Sequence, residues 1–457
     1  MKIERCGGRA IDKGGERRGR GRRKGSKPEH QVWRIIPATY QHVEWLGELE
    51  RTRGDEFDFW TPVLKRVNHP VDIMVRPDLQ NLLRTLLQHR GLGFHVMIDD
   101  VGKLVSSQMS ELSERRENGR LSGTALSGFD YNVYHTYEEI MQWVDDVATE
   151  YSHIVESFLL GYSYEGRPIK GIKIRGTGSH DANPRAVWFE GGIHAREWIS
   201  PATVMGFTQK LLDEYDNGDN LVVEMFDNLD WYIIPSLNVD GYSYTWLSDR
   251  MWRKTRSLNA KSACIGTDPN RNWPYEWGGV GASTWECSDT YRGERAISEI
   301  EVFNAIDFLR KKKDDGQDFI VFIDFHSYSQ LIIAPWSYLE SEPRTEDYDD
   351  QMALALEMQS AIKDTHGVVY NYGAGADILY ACSGVTSDWG YGTFSTHGGN
   401  TDGGLGAKYS FTVELRDEGH YGFLLPADQI QPSYEEMHAA VRALGAHVLN
   451  EMSATVQ

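Results

Sequence analysis

The short apolar run Ala186-Val-Trp-Phe189 passes into Glu190-Gly-Gly-Ile-His194-Ala-Arg-Glu197-Trp198, and this passage constrains the fold more than any other. A run of bulky apolar residues too short for a helix reads as a buried strand, and the two glycines as its sharp exit. His-x-x-Glu follows at once, in the position where loops of α/β sheets carry their sites. Two further runs end the same way: Phe319 to Phe325 leads into His326, and Phe411-Thr-Val413 into Glu414. Charged groups at the ends of buried strands are costly unless they coordinate or pair. His194 and Glu197 alone read better as a solvated surface pair; the other two strand ends turn the reading towards a shared site. Two His and one Glu, with the fourth position left to water, is the ligand pattern of a catalytic rather than a structural zinc ion.

The chain has 457 residues, which favours two domains or one large domain with an appendage. A hydrophobic content of 40% with 14 Trp, 23 Tyr and 16 Phe supplies a substantial core. The net charge of -20 argues against nucleic acid as a partner, and no run approaches the roughly 18 apolar residues of a membrane span. Residues 1–28 are the exception in charge, basic and glycine-rich around Arg17 to Lys24, and read as a solvated tail. They contain no apolar stretch of the kind that marks a secretory signal peptide. Of the four cysteines, Cys264 and Cys287 flank a loop rich in Gly, Asn and Trp; their spacing fits a covalent staple and two buried thiols equally well.

From Glu29 to Leu112 the pattern is strand, helix, strand, strand, helix, strand: Gln31 to Ile36, Tyr40 to Leu49, Phe57 to Trp60, Val71 to Val75, Pro77 to Gln88 and Gly93 to Ile98. This predicts a small α+β domain with an antiparallel sheet. Residues 113–128 form a charged linker in which Arg115, Arg116 and Arg120 are open to a trypsin-like protease. Residues 129–452 alternate in the manner of an α/β fold. Helices are expected at Thr136 to Glu150, Ala202 to Tyr215, Ser298 to Lys312, Tyr348 to His366 and Ser433 to Met452. Strands are expected at Val155 to Tyr162, Ile169 to Arg175, Ala186 to Glu190, Leu229 to Ile234, Phe319 to Phe325, Gln330 to Ala334 and Tyr409 to Leu415.

Hydrolysis at such a metal also wants a carboxylate outside the ligand set to move protons, and Glu414 is the candidate, the alternative being a salt bridge to Arg416. Arginines occur at Arg253 and Arg256 and in Asp268-Pro-Asn270-Arg271-Asn-Trp273; most loop arginines are simply solvated. These segments, with Phe325-His-Ser-Tyr-Ser-Gln330, Ile378-Leu-Tyr380-Ala-Cys-Ser-Gly384 and Lys408 to Asp417, together resemble the pancreatic-type zinc metallocarboxypeptidases of the A/B group, from Tyr131 to about Met452. Glu29 to Leu112 resembles their inhibitory activation peptide.

The resemblance implies a mixed parallel/antiparallel twisted sheet flanked by helices, one zinc per chain, and a zymogen that removes C-terminal residues from peptides once a trypsin-like protease has acted. It makes His194, Glu197 and His326 the zinc ligands and Glu414 the general base. It makes Arg253 the carbonyl-polarising residue, and gives Asn270, Arg271 and Tyr380 the substrate's terminal carboxylate. It places Arg196 along the approach, Asp268 behind His194, and Cys264 and Cys287 in a disulfide. It further implies a secreted monomer. The positions matching the family's side-chain pocket are Ile333, Ser337, Gly375, Cys382, Val385, Ser387 and Thr412. With serine rather than an acid at Ser387, release of neutral apolar or aromatic residues is expected.

Thr393 to Gly406 departs from the family's pattern as a glycine-rich insertion, in which His397 and Asp402 read as loop residues rather than metal ligands. An inactive peptide-end binder and a zinc amidase on the same scaffold are the rival readings. Intact Glu414 weighs against the first, and the complete Asn270, Arg271 and Tyr380 set against the second.

Overall fold

A computed structural model describes residues 30–54, 56–61, 63, 66–117, 128–178, 184–339, 343–393 and 403–455. The basic tail, most of the expected linker and most of the glycine-rich insertion, including His397 and Asp402, lie outside the described residues.

The N-terminal part contains β1 (Gln31–Ile35), α1 (Tyr40–Arg53), β2 (Asp58–Phe59), β3 (Val71–Val75), α2 (Gln80–His89) and β4 (Phe94–Ile98). The strands form one antiparallel sheet in the order β2-β3-β1-β4. Alternate residues of a strand share a face, so Trp33, Ile35, Ile73 and Val75 all reach one apolar cluster. Val43's neighbours on α1, Leu46 and Leu49, and Leu83 and Leu87 of α2 close that cluster from above. Helix α3 (Val101–Glu117) follows and runs into the first residues of the span expected as a linker.

The larger part is built on an eight-stranded mixed sheet of β5 (Val155–Tyr162), β6 (Pro168–Ile174), β7 (Arg185–Gly191), β8 (Leu229–Ile234), β9 (Phe319–Ser327), β10 (Leu331–Ala334), β11 (Asn371–Ala374) and β12 (Tyr409–Leu415). Its order is β11-β10-β12-β9-β7-β8-β6-β5. The four central strands β12, β9, β7 and β8 are parallel, and β10, β6 and β5 join antiparallel. Residues of the central strands are buried almost throughout, as expected of strands covered on both faces.

The sheet is flanked by helices, of which the long ones match the expected stretches: α4 (Tyr137–Glu150), α5 (Ile199–Asp216), α8 (Ile300–Asp314), α9 (Tyr348–His366) and α12 (Ile430–Thr455). Helix α4 starts at a capping box in which Thr136 and Glu139 satisfy each other's backbone N–H groups. Helix α9 stops at Gly367, whose φ of 74° suits glycine. Four shorter helices were not foreseen: α6 (Asn220–Asn228), α7 (Val239–Leu247), α10 (Gly375–Ile378) and α11 (Thr386–Tyr391). The edge strand β11 was also missed.

Candidate active site

Register on the parallel strands decides which side chains meet. Glu414 on β12 lies opposite His326 on β9, and Gly191 on β7 lies opposite Phe325, so three strand ends arrive at one edge of the sheet. The turn after β7 is held by its neighbours. The Ser200 hydroxyl accepts the N–H of Gly192 (2.9 Å) and donates to the carbonyl of Phe325 (2.6 Å), tying the turn to β9. Gly192 has φ 63°, and a Cβ there would press on Ser236 and Pro201. Asn238 at the start of α7 donates to the carbonyl of Ile193 (3.1 Å). His194 and Glu197 are therefore fixed by backbone contacts on both sides.

Within this turn Glu197 bridges the two histidines, with one oxygen 2.8 Å from Nδ1 of His194 and the other 3.1 Å from Nδ1 of His326. The two Nδ1 atoms are 3.1 Å apart. Among the described residues this is the one group of three such side chains able to hold a metal ion, and all three are buried. Donors around a tetrahedral zinc at its usual bond lengths lie about 3.3 Å apart, so the nitrogen, nitrogen and oxygen set fits that ion. Burial opposes ionisation of Glu197, yet the two imidazoles hold its carboxylate well below the usual range.

Nε2 of His194 is 3.1 Å from Asp268, which also accepts from the Arg253 guanidinium (2.9 Å) and from the N–H of Asn270 (2.9 Å). Arg253 reaches towards Glu197 as well, at 3.6 Å. Arg271 is held by the carbonyls of Gly281 (3.0 Å) and Asn270 (2.7 Å) and donates to the Tyr380 hydroxyl. The Asn270 side-chain oxygen accepts the N–H of Thr386 (2.9 Å). Burial pushes the Tyr380 phenol up to about 12, so it stays protonated as a donor. One cavity is lined by His194, Glu197, His326, Arg253, Asn270, Arg271, Tyr380 and Glu414.

Glu414 has a buried oxygen, Oε2, with no hydrogen-bond partner, and burial lifts its carboxyl to about 8, with His326 opposing and Glu197 adding to the rise. Arg416, the alternative partner weighed from the sequence, pairs with Glu436 and Gln429 instead.

A zinc carboxypeptidase family model matches residues 140–440, about two thirds of the chain, and a carboxypeptidase activation peptide model matches residues 33–108. The chain belongs to the zinc carboxypeptidase family. Carboxypeptidase A1 of Bos taurus is 37% identical over 425 residues, covering 93% of this chain and 94% of the bovine one. Carboxypeptidase B of Homo sapiens is 35% identical over 92% of this chain and 94% of its own length. Among solved structures, that of thrombin-activatable fibrinolysis inhibitor superposes with a TM-score of 0.78 at 34% identity, covering 92% of this chain and 99% of that one.

In this zinc carboxypeptidase the activation peptide sits at the mouth of the cleft. Trp60 and Thr61 line the same cavity as the metal-binding residues. Trp60, Val32 and Ile98 share an apolar cluster with Tyr328 and Phe423 of the larger domain. Asp58 lies 3.2 Å from Arg196, which is buried and also faces Asp289 (3.4 Å). Asp72 accepts from the Tyr328 hydroxyl (2.8 Å) and, with both oxygens, from Arg34. The pairing of Asp72 with Tyr328 was not expected, because partners 256 residues apart leave no local signature.

The inner wall of the cavity is formed by Ile333, Ser337, Gly375, Leu379, Cys382, Val385 and Thr412. Ser387, expected at the floor, is fully buried and does not reach the wall. Cys264 and Cys287 form a disulfide, and Cys382 is a free, buried thiol. Among the described residues no helix is long and apolar enough to cross a membrane.

A carboxylate that sequence reasoning missed is Asp324, whose Oδ2 lies 2.7 Å from Nε2 of His326. The signal was available: an aspartate two positions before the histidine in an apolar strand shares its face.

Proposed function

We propose that residues 29–112 keep residues 129–452 inactive until a trypsin-like protease cuts between them, and that the freed enzyme releases neutral apolar or aromatic residues from peptide C-termini. The observation that carries this reading is one cavity lined both by the metal triad and by Arg271 with Tyr380. Zinc, when bound, supplies Lewis-acid activation of a water and of the scissile carbonyl. His194, Glu197 and His326 hold it. Glu414 takes the proton of the attacking water and returns it to the leaving amine, a task suited to a carboxylate with a free oxygen beside the metal. Arg253 faces the charge that develops on the carbonyl oxygen. Arg271, Asn270 and Tyr380 grip the terminal carboxylate, so an internal peptide bond leaves their donors unpaired and is rejected. Arg196 lines the approach.

The preference for neutral side chains rests on the pocket wall, which carries no acid. Asp388, next to Ser387 in the chain, is fully buried and spends its oxygens on the N–H groups of Ser337 and Tyr338. The disulfide suits an oxidising compartment, in keeping with a secreted enzyme; the catalytic set lies within one chain, so a monomer suffices. A panel of blocked dipeptides differing in the C-terminal residue, assayed after trypsin treatment with and without a zinc chelator, tests the reading. Faster release of Arg than of Phe or Leu would overturn the pocket assignment.

A further inference from the structure

Glu197 occupies the Nδ1 side of both imidazoles, which leaves Nε2 of each ring to the protein. For His194 the partner is Asp268. For His326 two groups compete: Oδ2 of Asp324 at 2.7 Å and the amide nitrogen of Asn270 at 3.1 Å. The Asn270 amide is oriented by its oxygen, which accepts the N–H of Thr386, so it presents an NH2 donor to the ring. A ring nitrogen accepting from that donor would keep its proton on Nδ1, where no metal could then bind. A ring donating from Nε2 leaves Nδ1 bare, and Asp324 is the acceptor that selects this tautomer.

Asp324 is otherwise poorly provided for. It is fully buried in β9, and its one ion-pair partner among the described residues is His326. Thr386 donates to Oδ2 (2.9 Å), while Oδ1 has no partner. Its neighbour across the sheet is Glu190 on β7, so no lysine or arginine reaches it from that position. Glu190 takes the Trp188 indole N–H on one oxygen (2.8 Å) and has no partner for the other. Two carboxyl groups side by side in an apolar sheet cost stability, and a charge placed there needs a compensating task.

We propose that Asp324 is a positioning residue for the metal centre, fixing the tautomer and ring plane of His326 and strengthening its Nδ1 as a donor to zinc. Each histidine is then backed by its own carboxylate, Asp268 for His194 and Asp324 for His326. Loss of such an outer partner typically weakens metal affinity about 10–100-fold.

The test uses the full chain, stripped of metal and titrated with zinc against a competing chelator. Asp324→Asn, which keeps an acceptor but not the charge, should bind zinc about tenfold more weakly, and Asp324→Ser, too short to reach the ring, about 100-fold. Asp324→Asn is isosteric and keeps the test open if the serine variant fails to fold. The metal-free variant should melt within a few degrees of metal-free wild type, and after trypsin treatment added zinc should restore kcat/KM. Zinc affinity within twofold of wild type in Asp324→Asn, or activity that added zinc does not restore, would overturn the assignment. Wild-type protein that binds zinc but releases no C-terminal residue would sink the proposed function and leave this inference standing.

Discussion

Replacing Glu414 by Gln separates proton transfer from metal retention. The change is isosteric and leaves His194, Glu197 and His326 in place, so zinc content should stay at one per chain. A positioned general base contributes about 100 to 10,000-fold, so turnover of a blocked dipeptide by the trypsin-treated enzyme should fall by that factor, about 3–5 kcal/mol on the barrier. Stability should move the other way. Burial raises the Glu414 carboxyl to about 8, above the about 4.3 expected in the unfolded chain. The folded state then holds a proton that the unfolded state has lost, and stability drops as pH rises between those values. In metal-free protein the Gln variant should therefore be more stable at pH 7, by up to about 3 kcal/mol, and the advantage should vanish near pH 4. The measurements are turnover, zinc by atomic absorption, and denaturant unfolding at the two pH values. Turnover above one fifth of wild type, or loss of zinc, would refute the reasoning.

Two further outcomes follow from the same geometry. Asp58→Ala removes one of two carboxylates facing the buried Arg196, and should weaken docking of the activation peptide by about 1–3 kcal/mol. The uncut protein should then hydrolyse a small substrate at least tenfold faster than uncut wild type, with no change after trypsin cleavage; an equally silent uncut variant would count against Asp58 as a latch. In the zinc-loaded enzyme the cation stabilises the Glu414 carboxylate, so the acid limb of kcat/KM should fall between 4.5 and about 8, with activity lost as pH drops. A profile flat to pH 4 would exclude Glu414 as the base.

The sequence was most legible where function and periodicity coincide. Strands β7, β9 and β12 end in the residues that meet at the site, and their apolar runs carry that information locally. Helix α7 was illegible because Val239-Asp-Gly-Tyr-Ser-Tyr-Thr-Trp-Leu247 holds a glycine, several aromatics and β-branched residues that disfavour a helix. It forms because Asn238 caps it while also pinning Ile193, a tertiary reason absent from the segment itself. The edge strand β11 is four residues long, with its first two residues exposed or half-buried and its last two buried, too short for alternation to show. Ser387 illustrates the limit of positional matching: the residue sits where the family pattern put it in sequence, yet its hydroxyl is buried without a partner and the wall is completed by Leu379, Cys382 and Val385. The contacts that close the cleft, Asp58 with Arg196 and Asp72 with Tyr328, join segments more than a hundred residues apart and follow only from how the two sheets are docked.

The most direct measurement of the central claim compares one peptide with its C-terminal amide twin, incubated with trypsin-treated, zinc-loaded enzyme and followed by mass spectrometry. The free acid should shorten one residue at a time from its C-terminus, the amide should persist at least a hundredfold longer, and a chelator should stop both. Equal cutting of the amide, or fragments from internal bonds, would contradict the account.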